Sequence, residues 1–282
     1  MLRFDNYVRP VNTAEALEVL RYRRGAKVVG GGMWMRLSSR TVPCVVDLSD
    51  CGLGSIAETD DAFEIGAMAS LRDLETHRAL NEATGGILER AVRDIVGSQF
   101  RELATVGGSV YGRFGFSDVL CALLALDADV VLTGAGRMPL ARFCEQGYEK
   151  DILERIVVAK RDYRAAYACV RRAATDLPTL NVAAAYWNGD WHVAVGARPA
   201  RARLLLGSEL GLFGPEPSAA KLLNAARVLR GLTFSSNMWG SERYRRHLAG
   251  ALGIRAVCEA AGMPVPEACA PALAPADEEV SA

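Results

Sequence analysis

The run Ala26-Lys27-Val28-Val29 passes straight into Gly30-Gly31-Gly32. No other feature limits the fold as tightly. The apolar run reads as a short buried strand. Three glycines then permit positive φ and let the backbone approach a ligand without Cβ obstruction. Such a turn can aim several N–H groups at one point and hold an anion such as a diphosphate. Taken alone, the three glycines favour the plainer reading of a tight turn. They do not form GxGxxG, and no acidic residue stands where a ribose-binding partner would. No Gly-Lys-Ser/Thr follows, so the turn is not a P-loop either.

A second turn, Thr105-Val106-Gly107-Gly108-Ser109, sets two hydroxyls around two glycines. Thr105 and Ser109 can donate hydrogen bonds to phosphate or ribityl oxygens. A tight turn again accounts for this stretch by itself. Asp118 follows Ser117 at the head of an apolar run ending at Leu126. It either favours a helix N-terminus electrostatically or accepts from hydroxyls of a bound cofactor.

The surrounding pattern is mixed. The first segment reads as strand-free up to a helix capped by Thr13, with Ala16, Leu17 and Leu20 on one face and a stop at Gly25. Residues 33–37 read as helical or irregular, and 44–48 as a strand. Residues 62–67 alternate like a strand, and Ser70 with Asp73 forms a capping-box pattern opening a helix through Leu80. A helix is expected over 86–96, and strands over 129–132 and 152–159. Three strands follow, 163–172, 180–187 and 191–197, the last two joined by the hairpin turn Asn188-Gly189-Asp190. Residues 219–261 read as mainly helical. The Pro- and Ala-rich tail is expected to be mobile. The fold class is α+β, divided into 1–55, 56–160, 161–263 with a three-stranded sheet plus helices, and a tail of 264–282.

Composition narrows the function classes. The 282 residues carry 33 basic and 33 acidic side chains, so there is no basic footprint for nucleic acid and no polybasic membrane signal. The apolar run 119–126 is too short to span a bilayer, and no apolar segment of a secretory signal follows Met1. A soluble, cytoplasmic protein is expected. Seven cysteines without a CxxC pair read as buried, reduced thiols, not iron–sulfur ligands. Three scattered histidines make no zinc spacing. No metal site is expected, and no set of catalytic side chains is visible.

Several ordered stretches resemble the FAD-binding subunit of the molybdenum hydroxylases, the family of the flavin subunits of xanthine dehydrogenase, nicotinate dehydrogenase and carbon monoxide dehydrogenase. The resemblance runs over roughly residues 4–255. Phe4 to Pro10 looks like its opening F-x-Y-x-R-P, and Val28 to Trp34 its first phosphate loop. Asp47-Leu48, Ile65-Gly66-Ala67 and Ala104 to Ser109 follow at family spacing. Asp118, Leu126-Asp127-Ala128, Ile152-Leu153 with Ile156, Arg171-Arg172 with Asp176, and Tyr244-Arg245-Arg246 complete the series.

The resemblance implies a two-subdomain FAD-binding fold of the vanillyl-alcohol-oxidase/PCMH type, with a small α+β C-terminal domain. FAD would be held without a covalent bond. Lys27, Val28, Val29, Gly30, Gly31, Gly32, Met33 and Trp34 would wrap part of the diphosphate. Thr105, Gly107, Gly108 and Ser109 would contact its other side, Asp118 would meet ribose or ribityl hydroxyls, and Leu153 would pack near the isoalloxazine. Electrons would arrive from [2Fe–2S] clusters on a small partner subunit and leave for NAD or another acceptor. A large molybdopterin subunit would hydroxylate the substrate. The assembly would be a hetero-oligomer, a dimer of heterotrimers being one arrangement. Four positions depart from the family: Met33 replaces a common threonine, Trp34 an Asp or Ser, and Ser109 an Asn, and a basic residue common at the start of the third domain is absent near Ala168-Cys169. Trp34 can stack on the cofactor or pack against a partner. Two rivals are a self-contained flavin reductase of the same fold and a scaffold that has lost FAD.

Overall fold

The computed structural model describes residues 2–274. In chain order the strands are β1 (Arg3–Val8), β2 (Ala26–Val29), β3 (Thr41–Asp47), β4 (Ile56–Glu58), β5 (Ala62–Gly66), β6 (Ala128–Leu132), β7 (Gly136–Pro139), β8 (Leu153–Ala159), β9 (Arg164–Arg171), β10 (Pro178–Trp187), β11 (Asp190–Gly196) and β12 (Arg203–Leu206). The helices are α1 (Thr13–Tyr22), α2 (Leu71–Thr76), α3 (Arg78–Ala83), α4 (Ile87–Val92), α5 (Ser98–Leu103), α6 (Val106–Tyr111), α7 (Asp118–Ala125), α8 (Leu140–Glu145), α9 (Gly207–Leu210), α10 (Ala219–Arg230), α11 (Glu242–Ala260) and α12 (Ala270–Leu273).

The chain divides into two compact units. The first combines residues 1–77, 95–112 and 127–160. It holds a parallel sheet, β1-β3-β2, and a five-stranded sheet, β4-β5-β8-β6-β7. Ala16, Leu17 and Leu20 of α1 bury against Ala26, Cys44, Val46 and Ile152, which joins the two sheets through one core. Glu154 reinforces that junction by accepting from the Thr13 hydroxyl at 2.9 Å and the Thr133 hydroxyl at 2.8 Å.

The second unit takes residues 78–94, 113–126 and 161–282. Its sheet has the order β12-β11-β10-β9, antiparallel throughout. Trp191, Leu222, Leu229 and Leu252 lie in its core, shared between the sheet, α10 and α11. All eight residues of α7 are buried, which is why this segment leaves its sequence neighbours and docks on β10 and β11.

Several expectations need correction. The cap of α1 is not Thr13 but Asn12, whose Oδ1 accepts from Glu15 N at 2.9 Å. The first segment is not strand-free: β1 pairs in parallel with β3. Its residues are nearly all exposed, so it carries no hydrophobic signature and is held by backbone pairing at a sheet edge. The last domain has four strands, not three, because the short edge strand β12 follows an Arg- and Pro-rich stretch. The helix from Ser70 stops at Thr76, where the His77 N–H bonds to the Asp73 carbonyl. The segment 56–160 is split, since 78–94 and 113–126 pack with the C-terminal residues. The expected tail begins as a 3-10 turn, Glu267–Cys269, and α12; residues 275–282 lie outside the described residues.

Candidate cofactor site

The first unit brings the two glycine turns together. The first turn leaves β2 and runs across the end of α5 and the Thr105 side chain. A Cβ on Gly31 would coincide with the Leu103 carbonyl, and one on Gly30 would run into Thr105 Oγ1. Gly32 has φ +68, a backbone conformation that disfavours other residues. Gly30 and Gly31 are therefore required by close approach, and Gly32 by its dihedral.

The two turns use their N–H groups differently. In the second, Val106 N donates to the Ala69 carbonyl at 2.9 Å and Gly107 N to the Ala67 carbonyl at 2.8 Å. Gly108 N donates to Thr105 Oγ1 at 3.2 Å and Ser109 N to the Thr105 carbonyl at 3.1 Å. Thr105 thus N-caps α6, and the turn is stitched to residues 67–69. In the first turn, the amides of Gly31, Gly32 and Met33 have no acceptor among the described residues. Three adjacent donors without a protein partner are the components of an anion nest.

The remaining expected residues sort by burial. Lys27 is exposed, Val28 partly so, and Val29 is buried in β2. Met33 is buried, so its side chain packs inward. Trp34 is half exposed. The Ser109 hydroxyl donates to the Thr105 carbonyl at 3.0 Å, so its one proton is already engaged. Thr105 Oγ1 only accepts from Gly108 N, which leaves its proton to donate. Leu153 is buried at the start of β8, opposite Leu132.

Both glycine stretches belong to the first unit, whereas Asp118 belongs to the second. It is buried and fully partnered there. One oxygen accepts from the Tyr167 hydroxyl and from Asn181 Nδ2 at 3.0 Å. The other pairs with Arg171 at 2.9 Å. Burial first, then the Asp118 charge, pushes the Tyr167 phenol far above its ordinary value. Burial likewise pushes the nearby Cys169 thiol up to about 12. The partners Tyr167 and Asn181 escaped the sequence reading, because alternation along β9 and β10 marks them only as inward-facing positions.

A diphosphate fits the first turn: free amides, a hydroxyl donor from Thr105, and glycines where a Cβ cannot stand. Among the described residues no group of His, Cys, Asp or Glu could hold a metal, and no helix is long and apolar enough to cross a membrane.

Residues 2–160 match the family described as the FAD binding domain in molybdopterin dehydrogenase. The uncharacterised protein YgfM of Escherichia coli (strain K12) is 26% identical, the match covering 92% of this chain and 98% of that protein. Carbon monoxide dehydrogenase from Hydrogenophaga pseudoflava shares the fold, with a TM-score of 0.81 and 23% identity over 92% of this chain and 97% of that one. Quinoline 2-oxidoreductase from Pseudomonas putida 86 does so at 0.79 and 20%, over 93% and 97%. The family match covers more than half of the residues, and the chain belongs to the family described as the FAD binding domain in molybdopterin dehydrogenase.

Proposed function

We propose that this chain is the electron-transfer subunit of a multi-subunit molybdenum hydroxylase. It would take electrons from [2Fe–2S] clusters on a small partner and pass them to NAD or another acceptor. A large molybdopterin subunit would carry out the hydroxylation. The observation that carries the binding reading is the set of three unpartnered amides, Gly31 to Met33, beside the Thr105 hydroxyl. Bound FAD supplies redox chemistry in one- or two-electron steps.

The chain's own residues bind and orient. The first turn holds the diphosphate through backbone N–H groups, and Thr105 donates its hydroxyl proton. Gly107, Gly108 and Ser109 shape the wall that brings Thr105 to that turn. Lys27, Val28 and Val29 form the strand from which the turn springs. Leu153 lends an apolar surface for the isoalloxazine, and Trp34 an aromatic face. Asp118 would act indirectly, by fixing Tyr167, Arg171 and Asn181. None of the seven cysteines is in a disulfide, as suits a cytoplasmic protein.

The relay is tested by purification of the native complex. Copurification with a molybdenum subunit and a small iron–sulfur subunit, with flavin reduction on addition of the substrate, is expected. A chain that purifies alone and turns over a substrate by itself would overturn the relay in favour of a self-contained flavoenzyme.

A further inference from the structure

A cleft of about 480 Å³ opens in the second unit, between the end of β9, the loop 236–241 and the first turn of α11. Small-molecule sites commonly have about 300–1,000 Å³. Its lining includes Arg171 and Arg172 and no carboxylate.

The charge beneath it is positive. Arg245 is only 1% exposed. Its guanidinium donates to the carbonyls of Thr179 at 2.9 Å, Ser235 at 2.6 Å and Gly240 at 2.7 Å, and to Asn237 Oδ1 at 2.5 Å. It meets no carboxylate among the described residues. A buried cation without a counter-ion is costly and projects its field into the adjoining space. Arg172 also lacks a carboxylate and donates to the Met238 carbonyl at 2.8 Å. Arg171 is answered by Asp118, and Glu242 by Arg246. Asp176 is the remaining acid at the rim, with Oδ1 accepting from Trp239 Nε1 at 3.1 Å. With the Arg246–Glu242 pair set aside, three guanidinium groups, Arg171, Arg172 and Arg245, face two carboxylates, Asp118 and Asp176. The N-terminus of α11, 19 residues long, adds to the positive field.

The polar and apolar groups are arranged for more than a bare anion. The Ser236 hydroxyl accepts from Glu242 N and the Ser241 hydroxyl from Tyr244 N, so each keeps a proton to donate. Trp239 and Tyr244 supply aromatic surface, and the bond to Asp176 holds the Trp239 edge in place. Arg245 ties down both ends of the loop that carries these groups.

We propose that this cleft binds a nucleotide, with its phosphate on Arg172 and the two serines and its base on Trp239. A free nucleotide and one half of a dinucleotide share that chemistry. The inference does not rest on how the flavin is held.

The test uses the full chain saturated with FAD, so that AMP cannot occupy a vacant flavin site. Binding of AMP, adenosine and NAD is measured by equilibrium dialysis, with flavin content recorded in the same samples. AMP is expected to bind saturably and adenosine at least about ten-fold more weakly, since a charge-assisted contact is lost. Arg172→Gln is expected to weaken AMP about ten-fold with flavin content unchanged, and Arg172→Lys to restore part of the loss. NAD competing with AMP identifies the dinucleotide as the source; AMP binding without NAD binding identifies a free nucleotide. Failure of both to bind, equal binding of adenosine and AMP, or equal affinity in Arg172→Gln would overturn the proposal.

Discussion

At the scale of single residues, the glycines of the two turns are not equivalent. Gly31 lies against the Leu103 carbonyl with no room for a Cβ, and a methyl on Gly107 would stand 2.6 Å from the Ala67 carbonyl. Overpacking against fixed backbone costs about 1–3 kcal/mol or more. Gly31→Ala and Gly107→Ala are therefore expected to lower the denaturation midpoint and to lose FAD together. Gly108→Ala meets only Thr105 Oγ1, at 3.1 Å, and is expected to keep both within a few tenths of a kcal/mol; a midpoint loss equal to that of Gly31→Ala would refute this division. Asp118 gives a second residue-level case. Removing it would strand Arg171, whose side chain is 9% exposed, and breaking such a buried pair costs about 3–5 kcal/mol. Asp118→Ala should show that loss in urea unfolding even without flavin. A loss seen only in the FAD-loaded protein would instead make Asp118 a direct cofactor ligand.

At the scale of elements, the second turn depends on how α5 is anchored. Arg101 is buried and binds Glu75 at 2.8 and 3.1 Å, with a further bond to the Ile95 carbonyl. This clamps α5 on α2 and sets where Leu103 and Thr105 meet the first turn. Burial acts to raise the Glu75 carboxyl, but its bonds from Arg101 and Arg72 overcome that and hold it below 4.5. A depressed folded value gives stability above the unfolded value that is lost as pH falls. Stability is thus expected to decline below about pH 4.5, with a smaller decline in Glu75→Gln; identical acid limbs for the two proteins would contradict this. The elements also show what the sequence makes legible. The Ser70–Asp73 capping box, the strand into the glycines and the Asn188-Gly189 hairpin depend on local chemistry and could be read directly. β1 and β12 could not, because short exposed edge strands depend on a neighbour's backbone. The first glycine turn was legible as a turn, whereas Val106 to Ser109, expected as a second turn, open helix α6; only tertiary contacts show which amides stay free.

At the scale of the whole molecule, the second unit draws in two segments from the middle of the chain. Their packing buries thiols as well as apolar groups. Burial pushes Cys121 well up, and Cys169 to about 12, from an ordinary value of 9.0. Both remain protonated when folded, so their contribution is intact below 9.0 and is lost progressively as pH rises from there toward 12. Each thiol weakens folding by up to about 1.4 kcal/mol per pH unit in that window. Alkaline unfolding should therefore begin above pH 9, and Cys121→Ala with Cys169→Ala should flatten that limb. An unchanged limb would show that other groups govern it.

The central claim is that the amides of Gly31, Gly32 and Met33 receive the FAD diphosphate. Titrating the isotope-labelled full chain with FAD and following backbone amide resonances tests it most directly. The three amides are expected to move strongly downfield as charge-assisted bonds form, while those of Val106 to Ser109 move little because they keep their protein acceptors. Absence of FAD uptake, or uptake that leaves the first-turn amides unmoved, would contradict the account.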